Sequence, residues 1–219
     1  MPTTLADLLP ALDLRVTAGP IEMRGITDED LPALVDLVRE GVHDPERMPF
    51  TFPWTDAPAA ELPRLFAQYH WRCRVDFSPA SWTINLAVRH EGTLVGVQGL
   101  AASSYLVTRS GETGSWLGRR FQGQGIGTAM RQAMCAFVLD DLGAAEVRSG
   151  AFADNPSSLA VSRKVGYRRD GTERRERRPG ELALLHRLAL APGDLVRGPH
   201  RVEVEGLVAF RRSIGLDSE

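Results

Sequence analysis

The sequence predicts a single domain of the α+β class, and three observations lead to this prediction. The chain has 219 residues, which suits one domain because domains usually contain about 100–200 residues. Large apolar residues alternate along 82–89, the turn His90-Glu91-Gly92 follows, and a second strand pattern covers 93–100. This order indicates an antiparallel hairpin. Residues 128–142 instead carry apolar side chains at helical spacing, as in an amphipathic helix.

The N-terminal third is predicted to be an extended segment followed by two helices. Thr27 stands where an N-cap belongs, with Asp30 three residues later as the capping-box acid. Pro32 moves the regular start of this helix toward Asp30, because proline is tolerated only in the first turn, and the helix ends near Gly41. The neighbouring predictions are extended chain at 14–24, a proline-punctuated aromatic loop at 42–60 and a helix at 62–72.

The rest of the chain is predicted to alternate strands and helices. An arginine-rich run at 168–178 is interpreted as a solvated hairpin turn, the usual fate of a charge run. The other predicted elements are a strand pair over 104–118 interrupted at 110–112, the helix 128–142, strands at 145–152, 182–190 and 201–205, and helices at 157–164 and 207–214.

Composition excludes several classes of protein. Lys and Arg number 26 against 28 Asp and Glu, a net charge of -2, whereas nucleic-acid binders usually show a basic excess. Cys73 and Cys135 stand far apart and form no zinc or disulfide pattern, so reduced thiols are expected. No run reaches the ~20 apolar residues of a membrane span, and we expect no signal peptide. The sequence therefore predicts a cytoplasmic protein with no metal, nucleic-acid or membrane partner.

A glycine loop is the strongest functional signal in the chain. The residues Gln122, Gly123, Gln124, Gly125, Ile126, Gly127 and Thr128 lie between a predicted strand and a predicted helix. Glycines allow a tight turn in which consecutive N–H groups converge, and the first turn of a helix favours an anion. The loop therefore predicts a phosphate site, with a pyrophosphate as the natural ligand.

Three kinds of phosphate loop compete for this segment. A Walker A loop requires Gly-Lys-Ser/Thr, and the segment contains no lysine. A dinucleotide loop requires G-x-G-x-x-G, but the third glycine is replaced by Thr128 or by Met130, depending on the starting glycine. The pattern that remains is Q-x-x-G-x-G, formed by Gln122, Gly125 and Gly127.

That pattern resembles the acyl-CoA pyrophosphate loop of the GNAT N-acyltransferase superfamily. A second segment, from Asn155 through Ser158 to Gly166-Tyr167, resembles the Asn-x-x-Ser helix that follows it in the superfamily. The resemblance is to the RimJ/RimL-like branch and covers 14–190. The chain is thus expected to be one GNAT domain over 1–219, with 191–219 as a C-terminal extension. The amino-acid sequence near Gly41–Phe50 also resembles that of an actinobacterial subgroup labelled succinyl-CoA transferase.

The resemblance implies a fold, a cosubstrate and a set of binding residues. The fold is a mixed, mostly antiparallel sheet flanked by helices, with two central strands that splay around the pantetheine arm of acetyl-CoA or succinyl-CoA. The N–H groups from Gln122 to Thr128 would hold the pyrophosphate and Asn155 the pantetheine. Arg163 or Lys164 would reach a phosphate of coenzyme A, with a solvated helix residue as the alternative interpretation for either. The backbone around Trp116, Leu117 and Arg119 would pair with pantetheine and polarise the thioester carbonyl.

The resemblance also implies direct attack of an amine on the thioester, with no covalent intermediate. Many relatives place a tyrosine seven residues after the asparagine as proton donor, but Ser162 occupies that position here. Ser158 matches a serine proposed for this role in the RimL-like branch, and an ordinary helix-start hydroxyl is the competing interpretation. His43 is the first candidate for the base, with Glu40, Asp44 and Glu112 as others and a turn-capping histidine as the alternative.

The sequence does not identify the acceptor amine or the acyl donor. The acceptor amine is expected on a protein N-terminus, a lysine or a small molecule, and a homo-oligomer is possible. A succinyl carboxylate would need a cation, for which His43, Arg72, Arg119 and Arg120 are candidates. A CoA-binding module without turnover is the alternative function, and a Rossmann-type nucleotide enzyme ranks far below it because the glycine loop follows a hairpin rather than the first strand.

Overall fold

The computed structural model describes residues 3–217 and contains one nine-stranded sheet with helices on both faces. The helices are α1 Leu5–Leu8, α2 Leu31–Arg39, α3 Leu62–Val75, α4 Tyr105–Thr108, α5 Ile126–Ala136, α6 Pro156–Val165 and α7 Leu207–Ser213. The strands are β1 Arg15–Ala18, β2 Ile21–Gly25, β3 Ser81–His90, β4 Thr93–Ser103, β5 Ser110–Leu117, β6 Glu146–Phe152, β7 Arg168–Arg178, β8 Glu181–Leu190 and β9 Glu203–Glu205.

The sheet is antiparallel except at its centre, which confirms the predicted α+β class. The strand order is β7-β8-β6-β5-β4-β3-β2-β1-β9, and β5 with β6 is the one parallel pair in this ladder. Those two strands pair only over Ser110–Glu112 and Glu146–Arg148. Beyond these residues the strands part, and they leave between them the gap that the resemblance implied.

Two apolar clusters cover the two faces of the sheet. On one face, α2 and α3 pack through Leu34, Val35 and Phe66 against Ala87 and Val97 of the sheet. On the other face, α5 buries Met130 and Met134, and the π-helical turn Phe137–Asp141 that follows buries Phe137 and Val138. These four inward residues of the long helix agree with the predicted amphipathic pattern.

The segment 104–118 was wrongly predicted as a strand pair. It forms the short helix α4 and then the single strand β5. Ser104 and Arg109 both adopt left-handed backbone conformations, with φ of 51° and 47°, and so bracket one helical turn. Tyr105 is fully buried within that turn and donates a hydrogen bond to the Leu142 carbonyl at 3.3 Å. Burial of this ring, which a local pattern does not reveal, favours the helical turn.

The arginine-rich run forms strand β7, not a turn. Most of its side chains are exposed, as expected for a charged edge strand that resists pairing with other chains. The turn of the hairpin lies between Arg178 and Glu181. Arg177 and Arg178 are not simply solvated, because each forms ion pairs, Arg177 with Asp154 and Arg178 with Asp56.

The C-terminal segment joins the same sheet and core. β9 pairs antiparallel with β1, and α7 buries Phe210 completely against Trp82 and Phe137. Burying a phenylalanine side chain contributes about 1.5–3 kcal/mol. The expected extension therefore contributes a strand and a helix to the domain of its own chain over the described residues.

Helix α2 begins at Leu31, later than the predicted N-cap Thr27, because the Asp30 side chain organises the turn before it. Asp30 is buried, and its carboxylate accepts hydrogen bonds from the N–H and the hydroxyl of Thr27 at 2.9 and 3.1 Å. The same carboxylate pairs with Arg24 on β2 at 2.8 Å and Arg89 on β3 at 3.0 Å. One carboxylate thus joins the helix start to two strands.

Within residues 3–217, no helix is both long and apolar enough to span a membrane.

We predict that Asp30→Ala lowers the free energy of unfolding at pH 7 by about 3 kcal/mol, because it leaves the partly buried guanidinium groups of Arg24 and Arg89 without their shared carboxylate. Urea denaturation measures the change. Asp36→Ala, which removes an exposed carboxylate from α2, is the matched control and should change stability by less than about 0.5 kcal/mol. Equal losses in the two variants would contradict the role of Asp30.

The same ion pairs set the pH dependence of this contribution. Burial raises the pKa of Asp30, but hydrogen bonds from Thr27 and Arg89 and the attraction of Arg24 outweigh it and hold the pKa below the usual carboxyl value. A lowered folded-state pKa stabilises the fold above the unfolded-state pKa of about 3.9, and that stabilisation is lost as the pH falls through the folded-state pKa. The stability difference between the wild type and Asp30→Ala should therefore shrink in acid.

Candidate active site

The glycine loop presents a row of free backbone N–H groups at the start of α5. Gly123 and Gly125 adopt left-handed conformations, with φ of 75° and 86°, which are accessible to glycine without strain. Thr128 and Ala129 donate back to the Gly125 carbonyl. Within residues 3–217, the N–H groups of 123–127 have no protein acceptor. Residues 122–125 are exposed, so the loop can hold an anion.

The side chain of Gln122 holds neighbouring backbone segments together and is not free to bind an anion. Its side-chain amide donates to the carbonyl oxygens of Val42 at 2.8 Å and Leu117 at 2.9 Å. The backbone N–H of Arg119 donates to the Gly41 carbonyl at 3.0 Å. These three bonds tie the glycine loop to the end of β5 and to the segment that follows α2.

The end of β5 turns one backbone N–H toward the gap. The N–H of Gly118 donates to Val95 of β4, and successive residues of an antiparallel ladder point their N–H groups to opposite sides. The backbone N–H and C=O groups of Trp116 therefore face β4. The same groups of Leu117 face the gap between β5 and β6. The bond from Gln122 to the Leu117 carbonyl agrees with this direction. Leu117 thus offers an N–H donor inside the gap.

The start of α6 lies at the other wall of the gap, directly after β6. Asn155 is the N-cap, and its Oδ1 accepts from the N–H of Ser158 at 3.0 Å. Its Nδ2 and the hydroxyl of Ser158 have no hydrogen-bond partner within the described chain, and both residues are half-buried. Arg163 is exposed in the last turn of the same helix. Two free polar groups of α6 therefore border the gap near its start.

An aromatic cluster lies beside Trp116 on the opposite face of the sheet from α5. Trp54 lies 5.9 Å from the rings of both Phe66 and Trp116, and Phe50 lies 5.2 Å from Trp54. Such separations are typical of favourable aromatic pairs. Phe52, which the sequence grouped with these rings, is instead 74% exposed. The cluster forms an apolar wall beside the end of β5.

His43 lies at the edge of this wall with both ring nitrogens engaged. Nδ1 lies 2.7 Å from the Asp44 carbonyl and Nε2 lies 2.7 Å from the Thr55 hydroxyl. A carbonyl only accepts, so Nδ1 carries the proton and Nε2 accepts from Thr55. Thr55 is a residue that sequence reasoning missed, because nothing in the pattern 42–60 links it to His43. The ring also packs edge-on against Phe50.

The β7–β8 hairpin holds the loop that carries His43. Arg178 donates to both carboxylate oxygens of Asp56, at 2.7 and 2.9 Å, and to the Pro45 carbonyl at 3.1 Å. The hydrogen bond from Arg178 is the main cause that keeps the pKa of Asp56 below its usual value. Asp56 therefore stays ionised near His43, and the loop is clamped at two points.

The other base candidates are less well placed. Glu40 forms an ion pair with Arg120, and Asp44 is exposed and accepts from the N–H of Glu46. Glu112 lies five residues before Leu117 on β5, which is about 17 Å along a strand. A further histidine, His70, is buried against Phe66, and burial lowers its pKa to about 4. His70 is therefore neutral at physiological pH.

Together these groups form a cleft suited to acyl transfer. The free amides of 123–127 can bind a pyrophosphate, the Leu117 N–H can donate to a developing oxyanion, and the aromatic wall can exclude water from the reacting atoms. No cluster of residues 3–217 has the composition of a metal site.

Comparison with known proteins assigns a family to most of the chain. The family model described as acetyltransferase (GNAT) domain matches residues 21–168. This confirms the predicted family, and both the glycine loop and the Asn155 helix start lie inside the matched region.

Solved structures share the fold across nearly their whole length. RimJ of Mycobacterium smegmatis, in complex with a CoA disulfide, is 16% identical, with a TM-score of 0.68 over 86% of this chain and 92% of that one. RimL, a ribosomal-protein α-N-acetyltransferase in complex with coenzyme A, is 18% identical, with a TM-score of 0.63 over 78% of this chain and 94% of that one. An acetyltransferase of Salmonella typhimurium that modifies the N-terminal serine of a 50S ribosomal protein is 18% identical. Its TM-score is 0.63, over 78% of this chain and 95% of that one.

We predict that Gly125→Glu abolishes the binding of coenzyme A. A side chain at this position meets no protein atom within 4 Å, so the effect comes from negative charge and bulk among the free amides and from the left-handed backbone. Isothermal titration with coenzyme A measures the loss. Gly143→Glu, at the opposite end of the same helical run with φ of 67° and equally open space, is the control and should bind normally. Unchanged affinity in Gly125→Glu would refute the loop as the phosphate site.

Proposed function

The chain belongs to the acetyltransferase (GNAT) family, and from this premise we propose that it transfers an acetyl or succinyl group from coenzyme A to an amine by direct attack. The observation that supports this proposal most strongly is the row of free amides at 123–127 beside the gap between β5 and β6. A diphosphate bound at this loop leaves the pantetheine arm free to enter the gap. The thioester is then adjacent to Leu117.

The reaction needs a donor for the oxyanion. As the amine nitrogen bonds to the carbonyl carbon, negative charge develops on the carbonyl oxygen, and the Leu117 N–H donates to it. One such donor contributes about 3–4 kcal/mol in acyl-transfer sites. The C–S bond then breaks, its electron pair goes to sulfur, and the products are an amide and the thiol of coenzyme A.

The attacking amine must lose a proton, and His43 with Thr55 forms a path for it. The Thr55 hydroxyl donates to Nε2 of His43 at 2.7 Å, so it can accept a proton from the amine while it passes its own to the ring. The Asp44 carbonyl fixes the opposite nitrogen in the protonated form. Asp56, held ionised by Arg178, stabilises the positive charge that forms on the ring.

Ser158 is the proposed hydroxyl donor to the departing sulfur. Its hydroxyl is half-buried and has no partner within residues 3–217, and its backbone N–H is held by the Asn155 cap. The Asn155 Nδ2 is free to donate to a carbonyl of the pantetheine arm. Arg163, exposed further along α6, is proposed to reach a phosphate of coenzyme A.

For the donor, the positions of the candidate cations support acetyl-CoA over succinyl-CoA. Arg120 already pairs with Glu40, both nitrogens of His43 are bonded, and Arg119 and Arg72 are exposed. A succinyl carboxylate would have to rely on the last two. For the acceptor, a protein N-terminus is the first candidate, because the RimL and Salmonella typhimurium enzymes of similar fold act on the N-termini of ribosomal proteins.

The test is steady-state release of CoA thiol from acetyl-CoA and from succinyl-CoA, each with a peptide bearing a free N-terminal serine, an N-blocked lysine peptide and a polyamine. Release with at least one acceptor, and a matching mass increase of that acceptor, is the expected result. The competing function is a CoA-binding module, which the full engagement of His43 in hydrogen bonds would suit. Tight CoA binding with no release for any acceptor would establish that module instead.

We predict that Thr55→Val and His43→Gln each lower kcat about 100-fold, the usual range for loss of a general base. KM for the donor should change little, since Gln122 of the glycine loop bonds to the backbone carbonyl of Val42, which neither substitution removes. Thr108→Val, which removes an exposed hydroxyl of α4, is the control for Thr55→Val. A wild-type rate in Thr55→Val combined with a loss in His43→Gln would place the base at His43 without the relay.

We also predict that Ser158→Ala lowers kcat by about 10- to 100-fold with near-normal affinity for acetyl-CoA. The reason is that only a hydroxyl is removed, while the backbone N–H of residue 158 keeps the Asn155 cap. Ser157→Ala, an exposed neighbour in the same turn, serves as the control. If both variants turn over like the wild type, Ser158 has no part in the reaction.

A further inference from the structure

Arg131 is a buried cation whose hydrogen-bond partners are three serine hydroxyls. It is 5% exposed, its Nη2 donates to Ser115 at 2.7 Å, and its Nη1 lies 3.4 Å from both Ser149 and Ser162. Its Nε has no partner. It pairs with no carboxylate among residues 3–217. A buried charge without a counterion is costly, so this arrangement favours an anionic group nearby.

The guanidinium lies where the two central strands part. Ser115 is on β5, three residues beyond its last pairing with β6, and Ser149 directly follows the last paired residue of β6. The third hydroxyl belongs to Ser162 on α6, one helical turn after Ser158 and on the same face of that helix. Arg131 therefore contacts both strands and the helix that border the gap.

The titratable groups nearest to Arg131 do not supply the missing negative charge. Burial raises the pKa of Cys135 to about 11, and burial raises the pKa of Tyr167 well above its usual value. Both side chains are therefore neutral at physiological pH. They also bond to each other, at 3.3 Å between Sγ and the phenol oxygen.

Two of the three hydroxyls can still donate. Ser149 donates its proton to the Thr113 carbonyl at 3.1 Å. Ser115 and Ser162 accept from Arg131, and neither hydroxyl donates to any group in the described part of the chain. A hydroxyl that accepts from a guanidinium becomes a stronger donor, because hydrogen bonds in a chain polarise one another. The cluster thus offers two polarised O–H donors backed by one fixed positive charge.

We propose that Arg131 stabilises the thiolate of coenzyme A as it leaves, acting through the hydroxyls of Ser115 and Ser162. The inference rests on the proposed acyl transfer. When the C–S bond breaks, the electron pair goes to sulfur. The hydroxyls of Ser115 and Ser162 then donate hydrogen bonds to it beside that of Ser158, and neither of the two loses its proton. The proton released by the attacking nitrogen later neutralises the sulfur. Arg131 is a positioning residue, since it acts on the sulfur through the serines.

The test measures the pKa of the thiol of coenzyme A bound to the full chain. The ultraviolet absorbance of the thiolate is recorded as a function of pH. The same protein loaded with desulfo-CoA is the blank, which removes the signals of Cys73 and Cys135. In the wild type, the thiol pKa should lie about 1–3 units below that of free coenzyme A, the shift that a nearby opposite charge produces. In Arg131→Met the shift should vanish, and in Arg131→Lys part of it should remain.

A purely structural role makes a different prediction. If Arg131 only holds the strands apart, its replacement lowers thermal stability and CoA affinity but leaves the thiol pKa of bound coenzyme A unchanged. Arg39→Met, which removes an exposed arginine of α2, is the control for the loss of charge. Ser162→Ala should reduce the shift without loss of the cation, and Ser213→Ala, a half-buried serine of α7, is its control.

Each outcome decides the inference. A bound thiol pKa equal to that of free coenzyme A in the wild type would overturn it, even if the protein turns over acetyl-CoA normally. A shift that persists in Arg131→Met would overturn it as well. If Arg131→Met fails to fold or to bind coenzyme A, Arg131→Lys and Ser162→Ala carry the test. The titration needs no acceptor and no turnover, so failure of the proposed transferase activity is recognised separately.

Discussion

The parting of β5 from β6 is the constraint on which the rest of the site depends. Two parallel strands that pair over only three residues leave backbone groups without partners, and such groups are costly when buried unless something else satisfies them. The carbonyl of Leu117 is bonded by Gln122, while its N–H stays available in the gap. The unpaired backbone thus leaves one N–H donor directed into the gap.

The two ends of the cleft are held together by hydrogen bonds from single side chains. Gln122 joins the glycine loop to the segment after α2, and Arg178 joins the edge hairpin to the loop that carries His43. Both contacts link residues more than 75 positions apart in sequence. They place the free amides of the glycine loop, the aromatic wall and the imidazole around one opening, although these groups come from separate parts of the chain.

Polar burial concentrates beside that opening. Most of the core is apolar, but Thr113, Arg131, Ser149 and Ser162 are buried between α5, α6 and the parted strands. Natural cores usually avoid a charge without a counterion, and a site that must accept negative charge during a reaction is one physical reason to retain it.

The sequence by itself determined the fold class, the family and the position of the glycine loop between a strand and a helix, because these depend on local patterns. Glycines at 123 and 125 and the cap at Asn155 act within a few residues, so spacing alone reveals them. The helical turn at Tyr105, the partner of His43 and the partners of Arg131 were decided only by the tertiary structure. Each depends on a contact between distant segments, and a local pattern carries no information about which distant group a side chain will meet.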